Sequence, residues 1–259
     1  MPLYSEEQGS KEHSTLVFLH GFLGNRLDWQ ETIDELKGSF HCVTIDLPGH
    51  GLSIASDATL ENGFENCHKL IQFTLEQLNI QSFSLIGYSL GGRIALDYAR
   101  TQKDQRLKSL MLESCHIGLD NEADKKQRYE FDFAWAEHFA TQSVEESLCQ
   151  WYEQAVFDDL SDEQKDQIID KRNHNYGVPL ANMLLSTSLA HQTSALPFLI
   201  ETALPITYIY GQKDTKFKNI ATLIPQRDNI KRLCLDGLVH NTHQQAPVNF
   251  AQHIKQILL

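Results

Sequence analysis

Gly87-Tyr88-Ser89-Leu90-Gly91-Gly92 is the stretch that decides the fold. It fits G-x-S-x-G, and its surroundings meet the pattern's mechanical demands. Residues 82–87 (SFSLIG) read as an apolar strand before it, and residues 90–101 as a helix after it. On a sharp strand-to-helix turn the serine occupies strained backbone, and side chains in place of the flanking glycines would clash. Such a turn presents Ser89 at the carboxyl end of a strand, beside a helix N-terminus. The plainer reading is a glycine-rich turn with a capping serine. The strand on one side and the helix on the other favour a nucleophile elbow.

Around the elbow, the first half of the chain alternates apolar runs with helical patterns. Residues 15–19, 41–46 and 107–113 read as further strands, and 63–79 as a helix. Strands alternating with helices imply an α/β fold with a mostly parallel sheet covered on both faces. The alternation then stops. Between residue 113 and the next strand pattern at 205–210 only helical segments occur, including 125–139, 145–157 and 180–190. A crossover needs only about a dozen residues, so the surplus reads as a helical cap over the strand ends. A last strand at 229–235 and a helix at 246–259 follow. The expected organisation is a single domain, with a core of residues 1–113 and 205–259 and a helical cap of residues 114–204.

Composition excludes several classes. The 259 residues carry 22 Lys and Arg against 34 Asp and Glu, a formal net charge of −12 at pH 7. General nucleic-acid binding needs a basic footprint, so no nucleic-acid partner is expected. No apolar run reaches the length of a membrane span, and MPLYSEEQGSKEHS lacks the apolar stretch of a secretory signal. The expectation is a cytoplasmic protein with no membrane partner, a monomer or weak homo-oligomer. Cys42, Cys67, Cys115, Cys149 and Cys234 are odd in number and widely spaced, with no C-x-x-C. They read as reduced structural thiols, not a disulfide framework or a metal site. No cluster has metal-ligand spacing, and neither a metal nor an organic cofactor is expected.

Other strand ends supply partners for Ser89. His20-Gly21-Phe22-Leu23-Gly24, after the strand at 15–19, has the form of a loop that donates one oxyanion-hole amide. The paired donors would be the backbone N–H groups of Phe22 and Leu90. His20 itself reads either as a base or as a residue that positions this loop. An acid and a base are then needed in the order Ser, Asp, His. Asp214, in Tyr210-Gly211-Gln212-Lys213-Asp214, lies just past a strand, and His240, in Leu238-Val239-His240-Asn241, follows the last one. From such loops a base can reach Ser89 and an acid can orient the base. The competitors are His243, expected at the surface or behind the site, and His116, expected to face the pocket in another role. The plain alternative is a loop aspartate and a core histidine.

Together with Asp46-Leu47-Pro48-Gly49-His50-Gly51, these motifs resemble the α/β-hydrolase superfamily over nearly the whole chain. That fold hosts esterases, C–C hydrolases, lyases and haloperoxidase-like enzymes. A finer pattern comes from residues 89–93 (SLGGR), 112–119 (LESCHIGL), 151–157 (WYEQAVF), 182–190 (NMLLSTSLA), 211–217 (GQKDTKF) and 240–243 (HNTH). It resembles the 2-succinyl-6-hydroxy-2,4-cyclohexadiene-1-carboxylate synthase family of menaquinone biosynthesis. The resemblance implies a cofactor-free lyase that eliminates pyruvate from a small tricarboxylate. Val239 and Ile117 depart from the pattern, where glycine and proline are more usual; neither departure removes a reacting group.

A tricarboxylate calls for cations. Arg93 lies four residues after Ser89, on the same face of the helix. Arg128 and Arg172 match the family's Arg-x-x-x-Asp-x-x-Trp pattern (through Asp132 and Trp135) and its Lys-Arg-x-x-Asn pattern. Each guanidinium–carboxylate pair contributes roughly 1.5–3 kcal/mol. The alternative is three solvated surface arginines. Tyr88 and Trp151 are expected to line the pocket, with core packing as the alternative for Trp151. Lys213 and Lys216 read equally as solvated charges or as added positive potential. Two rival readings share the fold: a carboxylesterase or C–C bond hydrolase acting on a small anionic substrate, and a non-catalytic binding protein. The three arginines speak against a neutral-ester enzyme, and the intact Ser, Asp and His against a binding protein.

Overall fold

The apolar runs become the strands of one sheet in the computed structural model, which describes residues 1–54, 62–154, 157 and 160–259. In chain order the strands are β1 (Ser5–Gln8), β2 (Thr15–Leu19), β3 (His41–Ile45), β4 (Phe83–Tyr88), β5 (Leu107–Glu113), β6 (Ile206–Gly211) and β7 (Ile230–Leu235). Their order across the sheet is β1-β3-β2-β4-β5-β6-β7. Only β1 runs antiparallel, pairing Ser5 with Ile45 of β3. Sequence patterning misses β1 because Ser-Glu-Glu-Gln has no apolar face; all four residues are half-buried at the sheet edge. Polar side chains there also blunt an edge that could otherwise pair with another chain.

The order reverses at β2, which has β3 on one side and β4 on the other. Leu19 therefore pairs with both Ile45 and Gly87. The loops leaving β2 and β4 emerge side by side, at the kind of switch point where open α/β sheets bind ligands.

Both sheet faces are covered, and adjacent residues of β4 show how. Leu85 belongs to the core shared with α2 (Gly63–Gln77), α3 (Leu90–Gln102) and α9 (Thr215–Leu223), while Ile86, on the other face, belongs to the core shared with α1 (Gln30–Leu36) and α11 (Pro247–Leu258). Between β5 and β6 lie α4 (Glu122–Thr141), α5 (Val144–Trp151), α6 (Asp162–Arg172), α7 (Gly177–Ser186) and α8 (Leu196–Glu201). Asn121 caps α4, and Ser143 and Ser161 open α5 and α6 with capping boxes. The helix expected at 145–157 stops at Trp151, where the Glu153 and Gln154 amides bond back only three residues. Ala155 and Val156, in the 151–157 run, lie outside the described residues. The helix expected to reach residue 190 ends at Ser186, where Thr187 Oγ1 donates to the Met183 carbonyl.

Ala136, Phe139, Leu148, Leu180 and Leu184 of this helical cap gather around Leu23, from the loop after β2. Burying one such leucine contributes about 1.5–3 kcal/mol, and it fixes the cap over the switch point. The thiols divide. Cys42, Cys67 and Cys115 are buried, but Cys149 and Cys234 are exposed, so the expectation of structural thiols fails for those two.

The N-terminus of α3 packs against the end of β2 without room for a side chain. A Cβ at Gly91 would meet the Leu19 carbonyl oxygen at 2.3 Å and that of His20 at 2.5 Å. Both obstacles are backbone and have nowhere to move. Gly91→Ala is expected to destabilise the protein by at least ~2 kcal/mol, the middle of the range for overpacking. A denaturant midpoint equal to the wild type would contradict the packing described.

Candidate active site

Ser89 joins β4 to α3 at φ 49° and ψ −106°, a positive φ that a non-glycine residue adopts only under constraint. Its amide donates to the Glu113 carbonyl at 2.9 Å. Leu90 opens α3, where helix geometry supplies no acceptor for its N–H. The loop after β2 lies directly against this elbow: a Cβ on Gly21 would come within 2.7 Å of the Tyr88 ring and 3.6 Å of Ser89 Cβ. In that loop Gly24 N donates to Gly21 O and Leu23 N to His50 Nε2, and the Phe22 amide has no acceptor among the described residues. Two unclaimed backbone donors thus lie near Ser89, as an oxyanion hole requires.

The loop is held from two sides. His20 Nε2 accepts the Leu47 amide and its Nδ1–H donates to Gly21 O, so neither nitrogen is free to act as a base. Its geometry is that of a loop-positioning residue. His50 spans the same gap, bonding Pro48 O and Leu23 N. From the cap, Arg172 donates to Leu23 O at 2.7 Å and to Asp28 at 3.0 Å, and Asn175 donates to Leu23 O at 3.0 Å. Burial opposes the Arg172 charge, but Asp28 together with Tyr152 and Tyr88 outweighs this and raises its pKa. Arg172 is buried, not a solvated surface arginine.

Asp214 caps α9, accepting the Phe217 amide on Oδ1 at 3.1 Å, while Oδ2 lies 2.9 Å from His240 Nδ1. A proton on Nδ1 leaves the lone pair on Nε2. The imidazole stacks on Phe217 (4.7 Å between centroids) and lies 5.2 Å from the Tyr88 ring. Among the described residues no hydrogen bond joins Ser89 to His240; catalytic bonds of this kind often tighten only around substrate. His243 is no surface residue. It is fully buried, stacked on Trp29 at 3.9 Å and against Tyr88 at 4.9 Å. Glu113 draws it inward: Oε1 accepts its amide and Oε2 lies 2.7 Å from its Nδ1.

A second group of cations gathers one helical turn beyond Ser89. Arg93, buried, donates to Thr187 O at 2.7 Å. Arg128, half-buried, is held by both oxygens of Asp132 at 2.9 Å, and Asp132 also accepts from Ser188. Burial, then Arg128, pushes Arg93 down to about 10. Lys216 is an exposed residue whose pKa is nonetheless lowered from the usual lysine value, first by desolvation and then by Arg128, with Arg93 adding to it and Asp214 opposing it. His116 is pushed down to about 4 by burial, then by Lys216, Arg93 and Arg128; its Nδ1 accepts the Gly118 amide. Lys216 therefore belongs with the arginines, which its place in the sequence left open. Trp151 packs edge-on to Trp135 at 4.9 Å and against Phe22 at 5.2 Å, linking the cap to the loop after β2.

Asp28, Glu113 and Asn175 join the site beyond the residues singled out from sequence. Asn175 is the last member of the Lys-Arg-x-x-Asn pattern and Glu113 the second residue of the 112–119 run, whereas Asp28 has no local pattern. Among the described residues no helix is long and apolar enough to cross a membrane, and no group of three or more His, Cys, Asp or Glu is placed to hold a metal ion.

This sheet and site define a class. Residues 14–236 match the family model of the alpha/beta hydrolase fold. The 2-succinyl-6-hydroxy-2,4-cyclohexadiene-1-carboxylate synthase of Yersinia enterocolitica is 38% identical over 243 residues, 94% of this chain and 86% of that protein. Its counterpart in Yersinia pseudotuberculosis is 37% identical over the same shares. The structure of MenH from S. aureus superposes with a TM-score of 0.87 at 29% identity, covering 98% of this chain and 97% of that one. The chain belongs to the α/β-hydrolase family and, within it, to the 2-succinyl-6-hydroxy-2,4-cyclohexadiene-1-carboxylate synthase group.

The histidine clasp carries a pH dependence. Burial pushes His20 down to about 4 and His50 to about 3. Below about pH 6.5 the unfolded chain takes up protons that the folded one refuses, so stability falls as pH drops toward 4. The slope is on the order of 1.4 kcal/mol per pH unit per histidine. Urea midpoints at pH 7, 6 and 5 should fall in that order, and less steeply in His50→Gln; equal midpoints would contradict the clasp.

Proposed function

We propose that this protein is a lyase of menaquinone biosynthesis. It eliminates pyruvate from 2-succinyl-5-enolpyruvyl-6-hydroxy-3-cyclohexene-1-carboxylate, giving 2-succinyl-6-hydroxy-2,4-cyclohexadiene-1-carboxylate. One observation carries the reading: Arg93, Arg128 and Lys216 act on one another beside the elbow, with Asp132 and, next to Lys216, Asp214 as the nearby carboxylates. A neutral ester has no use for that charge, whereas a tricarboxylate relieves the repulsion of crowded cations. Kinship with named synthases points the same way.

In this reading the core is residues 1–113 and 205–259, the cap residues 114–204, and the whole one cytoplasmic domain, monomeric or weakly associated. Arg93, Arg128 and Arg172 bind substrate carboxylates, with Arg172 exchanging a contact with Asp28 or Leu23 O for one with substrate. Tyr88 and Trp151 line the pocket.

His240, oriented by Asp214, draws the proton from Ser89, which removes the ring proton α to the succinyl ketone. The C–H pair forms a double bond from the ring carbon to the ketone carbon and the carbonyl pair moves onto the ketone oxygen, where the Phe22 and Leu90 amides receive the charge; when the carbonyl re-forms, the pair passes into the ring. One such donor is worth about 10²–10³ in rate. The dienolate then expels the enolpyruvyl oxygen, breaking the C–O bond. The leaving enolate takes up the proton held on His240 and becomes pyruvate. Ser89 acts as a relayed base, and no acyl-enzyme forms.

The direct test follows pyruvate release and diene absorbance together, from freshly generated substrate. The wild type should form both stoichiometrically, and Ser89→Ala should fall to the spontaneous background; no acceleration by the wild type would overturn the reading. Arg93→Ala separates this from an ordinary serine hydrolase. It should lower kcat/KM for the tricarboxylate by about 10- to 100-fold, the cost of one charge-assisted contact, and spare cleavage of any neutral ester. Undiminished native turnover would contradict a tri-anion site.

A further inference from the structure

Glu113 ends β5, at a position where an apolar side chain would bury at no electrostatic cost, yet it is a fully buried carboxylate. Its main chain and its side chain serve two parts of the site. The carbonyl accepts the Ser89 amide at 2.9 Å. The carboxylate accepts the Thr242 hydroxyl at 2.7 Å and the His243 amide at 3.0 Å, both on Oε1. Oε2 lies 2.7 Å from His243 Nδ1. Thr242 and His243 are themselves buried and open α10 (Thr242–Gln245), a helix of 4 residues, too short to be stable alone. His240 sits just before it. On its other flank the loop is tied by Lys213 N to Leu238 O at 2.9 Å and by Val239 N to Gln245 Oε1 at 2.9 Å. Tyr88, paired with Glu113 across β4 and β5, fills the space between, 5.2 Å from the His240 ring and 4.9 Å from that of His243.

We infer that Glu113 is the positioning residue that sets the separation of Ser89 and His240, holding the elbow through its carbonyl and the base loop through its carboxylate. The inference rests on the triad proposed above. A leucine at 113 would keep the carbonyl contact but strand the Thr242 hydroxyl and the His243 amide in the interior. The loop would then move as a unit, carrying His240 away from Ser89 while leaving Arg93, Arg128 and Arg172 in place. Misplacement should therefore lower kcat and spare KM.

The test compares Glu113→Gln, Thr242→Val and Thr242→Ser with the wild type. Two readouts are used: kcat and KM for pyruvate release, and the rate at which a fluorophosphonate labels Ser89. Glu113→Gln keeps shape and one acceptor but turns an amide toward His243. It should remain folded, with kcat lowered about a hundredfold, as expected for a shift of about 1 Å, and KM little changed. Labelling should slow in parallel. Thr242→Val should lose part of kcat, and Thr242→Ser, which keeps the hydroxyl, should recover it. Full kcat and full labelling in folded Glu113→Gln would overturn the inference, as would a loss in Thr242→Val that serine does not restore. If Glu113→Gln does not fold, the Thr242 pair decides. If the wild type labels but does not turn over this substrate, the proposed reaction fails, and the labelling rates still decide the role of Glu113.

Discussion

The close approach of the α3 N-terminus to the end of β2 is the constraint from which the rest of the site follows. With Gly91 pressed against the Leu19 and His20 carbonyls, no relaxed path leads from β4 into the helix. Ser89 is left at φ 49°. The strain holds because the sheet over-determines it: the Ser89 amide is bonded to β5, and its flanks are packed on β2. The same approach brings the loop after β2 against the elbow, so the Phe22 amide and the first amide of α3 come to one place. Parallel strands with a reversal at β2 are what make the two loops neighbours.

Two sets of cations do different work around this point. Arg172 is engaged by Leu23 and Asp28 and braces the loop after β2 from the cap. Arg93, Arg128 and Lys216 act on one another instead, and burial, followed by Arg128, pushes Arg93 down to about 10. Cations packed at close range raise the energy of the free protein, and an anionic ligand lowers it. The cap joins the two sets: Thr187 and Ser188 contact Arg93 and Asp132, and Leu23 is buried among cap helices.

What was legible in the sequence is what is local. The elbow, the strand ends and the residues just past them announce themselves by short patterns, and Ser89, Asp214 and His240 were readable because each sits immediately beyond an apolar run. β1 was silent because an edge strand can be polar. Helix ends were misjudged where amides begin to bond back only three residues, as Glu153 does after α5 and Ser188 after α7. The supports of the site were not readable either. Asp28 meets Arg172 across 144 residues and Glu113 meets His243 across 130, and no spacing rule links positions so far apart. The sequence leaves His243 either at the surface or behind the site, because nothing nearby says that Glu113, from another strand, holds it inside.

The account turns on Ser89 acting as a base toward carbon and not as a nucleophile. The measurement that tests this most directly is single-turnover pyruvate release from substrate deuterated at the ring carbon α to the succinyl ketone, with the quenched enzyme weighed intact. Proton abstraction by Ser89 predicts a primary isotope effect on pyruvate release and an unmodified enzyme mass throughout. An isotope-insensitive release, with a covalent adduct on Ser89 appearing and decaying during the turnover, would contradict it.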